Sequence, residues 1–483
     1  MRVSKRLALL ALTISMVAWF AAAADSGAGP DGRARAWVDA FNQGEAAYSE
    51  FCARELAPGR LSPEERLGMY RRLHSDLGRL EIEGLEIGSD GIVAVATQSE
   101  NLGPVVLEFH FEPSGEGRIT GVGIELGGGG HGGDALQLPP IEVPSGGLDR
   151  AQLEELVDGW LSRLAAADAF SGVVLLARAG NPVFERPYGL AERRFSAPVN
   201  TTTRFNVGSI TKAFTTVVVA QLAAAGKLDL DAPLERYLPG YPDPEAAGRI
   251  TIRQLVEHSS GLGDIFGDAF FGASNHRFQE PEDFFPLFAG QLLQFDPGEG
   301  NAYSNAGFVV LGAVIEEVTG KPYREIIEDR VFKPAGMTGS GFFASDGLDL
   351  DVAVGYTGMD CPDNGPIPCR SNLATKVWAG CPAGGSQSPA IDLLRFDEAL
   401  RDHRLTKPVW TRWVMTRVDP VDGGAADPER ATWGWAIAGG APGVNAELDS
   451  DGRDAVVVMA NLDPPIAMEI AKALRPVVEA LRP

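Results

Sequence analysis

The sequence has 483 residues, 45% of them apolar and 22% charged, which suits a globular chain of two or three domains. Its formal net charge of -23 argues against a nucleic-acid partner, because phosphates demand a surplus of Lys and Arg, and against adsorption to anionic lipid.

The chain opens with Arg2, Lys5 and Arg6, then an apolar run from Leu7 to Phe20, then the small residues Ala21 to Ala24 before Asp25. This pattern predicts an export signal over 1–24 and a secreted or periplasmic protein, with an uncleaved anchor as the alternative. No later apolar run reaches that length, so the mature chain is expected to carry no stable membrane span.

Arg33 to Phe51 reads as one helix with Trp37, Phe41 and Tyr48 as its large apolar residues, and Pro63 opens a second helix running to Leu77. Four strand-like runs follow: Leu80 to Ile87, Gly91 to Ser99, Val105 to Phe111 and Ile119 to Leu126. Helices followed by a meander predict a small α+β domain over 31–127. Element order and the Phe41-Asn42 pair resemble the cone-shaped domains of the nuclear transport factor 2-like superfamily. Glu108, His110 and Glu112 share one strand face, read as solvated rather than as a metal or substrate site. The glycine run from Gly127, broken by His131, and Pro139, Pro140 and Pro144 predict a linker over 128–147.

A second domain is expected over 148–483. A helix from Leu153 to Ala167 precedes strands at Phe170 to Ala177 and Pro182 to Tyr188, and strand Ala455 to Met459 and helix Ile466 to Leu481 close the chain. Strands at both ends with helices between imply one sheet assembled from distant segments and covered by the first and last helices. Of the cysteines, Cys361, Cys369 and Cys381 cluster. One disulfide is expected among them, with Cys361–Cys369 favoured by proximity and Cys381 competing for either partner.

Chemistry is concentrated at the start of an apolar helix, Phe205-Asn206-Val207-Gly208-Ser209-Ile210-Thr211-Lys212. Spacing of three puts the Ser209 hydroxyl and Lys212 amine on one face. A lysine on a buried helix is costly unless partnered or held neutral, and a neutral lysine beside a serine is a base beside a nucleophile. Further on, Tyr303-Ser304-Asn305 opens a second apolar helix, with a phenol for proton transfer and an amide for orientation. The alternative is a snorkelling surface lysine and a simple helix cap. Ser-Asp-His chemistry is set aside, since no G-x-S-x-G elbow follows a strand.

Ser209-x-x-Lys212 and Tyr303-x-Asn305, in this order and separated by a helical insertion carrying His258-Ser259-Ser260-Gly261, resemble the serine β-lactamase and penicillin-binding-protein family, in its class C β-lactamase, D,D-peptidase and esterase branch. The resemblance runs from about Leu148 to the C-terminus. It implies an antiparallel sheet flanked by helices plus a helical subdomain, and acylation of Ser209 with proton transfer by Lys212 and Tyr303. Asn305 would place the lysine and a small-molecule or peptide substrate; no cofactor or metal is implied. The oxyanion would be held by the backbone N–H of Ser209 and of a residue near Gly440, with Gly439 allowing close approach. The family's third motif places His or Lys where this chain has Ile437, and the stretch after Trp433 looks short for a full hairpin. A catalytically quiet binding or regulatory module is therefore the second expectation, and His258 is expected to fix a loop rather than replace the missing imidazole.

Overall fold

The computed structural model describes residues 29–56, 67, 70, 71, 73, 74, 77–87, 93–99, 103–111, 117–126, 138–300, 302–348, 351–358, 361, 368–418, 420 and 430–482. The predicted export signal, His131 and the Glu112 side chain lie outside these residues, as do the side chains of Glu108 and His110. The chain divides into two compact units, 1–129 and 130–483.

Among the described residues of the first unit, α1 (Pro30–Gln43) and α2 (Glu45–Glu55) precede a four-stranded antiparallel meander, β1 (Leu80–Ile87), β2 (Val93–Ser99), β3 (Gly103–Phe111) and β4 (Ile119–Leu126). The single helix expected over Arg33 to Phe51 is in fact two. Gly44 adopts φ 107, a backbone that breaks the helix and suits only glycine. Of the helix expected after Pro63, the described residues are helical and the rest fall outside the description. Trp37 stacks on Phe41 at 5.1 Å over the buried face of the sheet. Asn42 locks α1 to the sheet edge: its Nδ2 donates to Leu80 O at 2.8 Å, and Leu80 N donates to its Oδ1 at 2.9 Å.

In the second unit, α3 (Arg150–Ala166), β5 (Gly172–Arg178) and β6 (Asn181–Tyr188) precede the helical middle. The chain returns through β7 (Trp435–Ala441), β8 (Val444–Ser450), β9 (Asp454–Ala460) and α4 (Ile466–Glu479). The sheet order is β7-β8-β9-β5-β6, antiparallel throughout. Alternate residues of β5 and β9 feed two cores: Val173, Leu175, Val457 and Met459 face the helical middle, whereas Val174, Leu176, Val456 and Val458 pack under α3 and α4. Burial on both faces is why these strands read as unbroken apolar runs. Leu138, Ile141 and Val143 pack against the second of these cores, and Pro139 O accepts from Trp160 Nε1 at 2.7 Å. The described half of the expected 128–147 linker is thus part of this unit.

The expectation of a shortened hairpin is overturned. Trp435 to Ala441 pairs residue for residue with Ser450 to Val444 around a Pro442-Gly443 turn. The entry to β7 is fixed by a buried charge network. Arg401 Nε donates to Asp397 at 2.8 Å, and its other nitrogens donate to Ala431 O, Trp433 O, Ser450 O and Ser450 Oγ. Trp435 Nε1 donates to the same Asp397 at 2.6 Å. Removing one member of a fully buried pair strands the other charge, so Arg401→Met is expected to lower stability by about 3–5 kcal/mol, read as a fall in the urea midpoint.

Candidate active site

Ser209 sits in a tight turn, Gly208–Ile210, that leads directly into a helix at Thr211–Ala224. Gly208 holds φ 51, and its N–H donates to Asn206 Oδ1 at 2.8 Å. Val207 N donates to Ser386 O at 2.9 Å, and Gly385 N donates to Gly208 O at 3.3 Å, so the turn is clamped to the 383–388 segment. From this turn Ser209 projects into a cavity of about 280 Å³. The Thr211–Ala224 helix is apolar and almost wholly buried, which places Lys212 in the interior at 7% exposure.

Lys212 Nζ lies 3.1 Å from Ser209 Oγ, 2.7 Å from Asn305 Oδ1 and 2.5 Å from Ala383 O. Asn305 opens the helix Asn305–Thr319, which Ser304 caps by accepting from Gly307 N at 2.9 Å. The Asn305 amide is oriented by Asp264, whose oxygens accept from Nδ2 at 2.8 and 3.1 Å, so that Oδ1 must face the lysine. Tyr303 OH donates to Ser209 Oγ at 2.6 Å. The Tyr303 ring stacks on His258 at 4.6 Å, and His258 Nδ1 accepts from Ser304 N at 3.1 Å. Those contacts hold the Tyr303-Ser304 turn; His258 lies behind the phenol rather than beside Ser209 Oγ.

The electrostatics separate the two proton carriers. Burial lowers the Lys212 pKa to about 7; negative charge at Cys381 or Asp264 would oppose this, but Cys381 is itself held as a thiol by its burial. Burial raises the Tyr303 pKa, partly offset by its bond to Ser209, so the phenol stays protonated. A neutral amine has two N–H groups and one lone pair. Asn305 Oδ1 and Ala383 O can only accept, so they take both N–H groups and leave the lone pair aimed at Ser209. The Ser209 proton can then point to the lysine while its oxygen accepts from Tyr303.

Gly439 and Gly440 run against the Ser209 turn. A Cβ on Gly439 would lie 1.9 Å from Val207 O and 2.9 Å from Ser209 N, so no other residue fits there. In a hairpin closed by a two-residue turn, Ala441 and Gly439 bond to β8 while Gly440 directs its N–H away from it, toward the Ser209 side. Ile437 lies two residues back on the Gly439 face, partly buried against the main core. The structure thus brings Ser209, Lys212, Tyr303, Asn305, Gly439 and Gly440 to one place. Two contributors went unnoticed in the sequence, Asp264 and the Ala383 carbonyl. Asp264 closes Gly261-Leu262-Gly263-Asp264, directly after the His258 loop, and its position there was the available signal; a backbone carbonyl leaves none.

Cys361 and Cys369 form a disulfide, leaving Cys381 buried beside Lys212. Among the described residues no helix is long and apolar enough to cross a membrane.

The profile of the Beta-lactamase family matches residues 157–478. The chain is 34% identical over 238 residues to the putative penicillin-binding protein PbpX of Bacillus subtilis (strain 168), covering 49% of this chain and 56% of that one. It is 34% identical over 212 residues to the esterase EstB of Burkholderia gladioli (41% and 54%) and 31% identical over 249 residues to a D-aminopeptidase of Brucella anthropi (49% and 45%). It therefore spans about half the length of these curated relatives. The crystal structure of a penicillin binding protein from Bacillus halodurans superposes with a TM-score of 0.57 at 30% identity, over 65% of this chain and 98% of that one. The matched span contains the Ser209 turn, the Tyr303–Asn305 helix start and the Gly439–Gly440 hairpin, and by it the chain belongs to the beta-lactamase family.

Proposed function

We propose that this chain is an exported serine hydrolase that forms an acyl-enzyme on Ser209 from an ester, a peptide amide or a β-lactam. The observation that carries the reading is the double engagement of Ser209 Oγ, 3.1 Å from a lysine of pKa about 7 and 2.6 Å from a protonated phenol. Lys212 takes the Ser209 proton as Oγ bonds to the carbonyl carbon. The resulting oxyanion is met by the N–H of Ser209, in the first turn of a helix, and by that of Gly440. Collapse breaks the bond to the leaving group, which takes the Tyr303 proton, and Tyr303 is resupplied from Lys212. Water then repeats the sequence on the acyl-enzyme. Relatives named esterase, D-aminopeptidase and penicillin-binding protein support the reaction type and leave the substrate open among these.

The test is intact mass after incubation with an activated ester, a fluorophosphonate and a β-lactam. An adduct mapping to the Ser209 peptide is expected; an adduct elsewhere, or none with any probe, overturns the reading. The second reading, a quiet binding or regulatory module, now rests on Ile437 alone, because the hairpin is complete. It is favoured if no probe labels the native chain and Ile437→His restores labelling. Export is supported by the Cys361–Cys369 disulfide. Sequencing the protein from its native host is expected to find the N-terminus between Ala22 and Asp25, and a chain that retains Met1 would refute cleavage.

A further inference from the structure

Ile437 removes the cationic or imidazole group that the resemblance led one to expect near the nucleophile, yet the cavity is not without a cation. Lys376 lies on the turn that follows Asn372, where its N–H donates to Asn372 O at 3.0 Å and its carbonyl accepts from Asn275 Nδ2 at 3.2 Å, so both ends of its backbone are pinned. Lys376 lines the cavity that holds Ser209. It also lines a small recess alongside, formed with Asn206, Asn372, Gly443 and Asn461. Among the described residues no carboxylate pairs with it, although the chain carries 65 acidic residues and other cations, such as Arg193, Arg253 and Arg430, do find one. Burial lowers its pKa to about 8, so it remains mostly protonated at pH 7. A partly buried ammonium without a counter-charge is costly unless something supplies one. The same wall carries the polar residues Asn206, Ser209, Tyr303, Asn305 and Thr375 and the half-exposed residues Phe266 and Phe271, and among the described residues no acidic one lines it.

We infer that Lys376 is the anion-binding residue of this cavity, receiving a carboxylate on a substrate whose apolar part lies against Phe266 and Phe271. The assignment rests on the proposed hydrolase reading only for the word substrate; the ammonium and the cavity exist without it. It also gives the substitution at Ile437 a physical sense. The charge that the strand lacks is carried by a loop, so the cavity accepts an anionic ligand while β7 keeps an apolar side chain against the core.

The test uses the full-length Ser209→Ala chain, which cannot turn over, titrated calorimetrically with N-phenylacetylglycine and with its uncharged amide. The carboxylate is expected to bind roughly ten- to a hundredfold more tightly than the amide, the scale of one charge-assisted contact. Adding Lys376→Gln should erase that ratio, and Lys376→Arg should restore most of it, which a merely misfolded loop would not do. Equal binding of acid and amide, a preference that survives Lys376→Gln, or binding of neither ligand overturns the assignment. Since this readout needs no acylation, a native chain that shows the preference but forms no adduct with any probe would refute the hydrolase reading and leave Lys376 as the anion site of a binding module.

Discussion

Ser209→Ala is expected to abolish labelling by every acylating probe and to lower ester hydrolysis on the order of a millionfold, the scale for removing the nucleophile of a serine hydrolase. The size follows from what the hydroxyl does in the site. Ser209 Oγ is the acceptor for Tyr303 OH and the neighbour of Lys212 Nζ, and the Gly439–Gly440 backbone closes on its N–H. Alanine keeps the turn, the helix start and the oxyanion donors but leaves no atom to bond the carbonyl carbon. Folding should be unaffected, because the side chain is only partly buried and its loss opens no core cavity. Unchanged circular dichroism with lost labelling is the expected pair of results. A variant that still gains probe mass would place the nucleophile elsewhere.

The helix starts were legible because their signals are local. A serine and a lysine three apart on an apolar helix, and a tyrosine and an asparagine bracketing a capping serine, fix where their side chains point. The cores were legible for the same reason: Val173 to Ala177 and Ala455 to Met459 are apolar at every position because each strand is covered on both faces. What the sequence hid depends on partners far along the chain. β7 contains Ala436, Ala438, Gly439 and Gly440, a composition with little strand propensity. It is a strand because β8 pairs with its whole length and the Arg401–Asp397 network anchors Trp435. The third partner of Lys212 is a carbonyl on a turn at Ala383, and the orientation of Asn305 is set by Asp264. Neither could be found by spacing. The break at Gly44 was visible as a glycine inside a helical pattern, but only the observed φ of 107 shows that the chain turns there.

Lys212→Ala is expected to slow acylation by at least roughly a hundredfold, the scale of general base catalysis, and to change its pH dependence. An ordinary lysine near 10.4 would be neutral in fewer than roughly one molecule in a thousand at pH 7, whereas one lowered to about 7 is neutral in about half. The base must be unprotonated to act. In the native chain the acylation rate should therefore climb with pH, reach half its maximum near 7 and level off above it. Lys212→Ala should be slow and lack that limb, and Lys212→Arg should be as slow, since a guanidinium does not give up its proton in this range. Tyr303→Phe should keep the limb, because the lysine still titrates, while losing the proton delivered to the leaving group. Its deficit should accordingly be larger for a peptide amide than for an activated ester, whose leaving group needs no proton. His258 offers no rival explanation for the limb: burial, with Lys212 and Arg417 nearby, lowers it to about 4, so it is neutral across the whole range measured. A limb that persists in Lys212→Ala would transfer the base to another group, and Tyr303, the other hydrogen-bond partner of Ser209 Oγ, would be the first to examine.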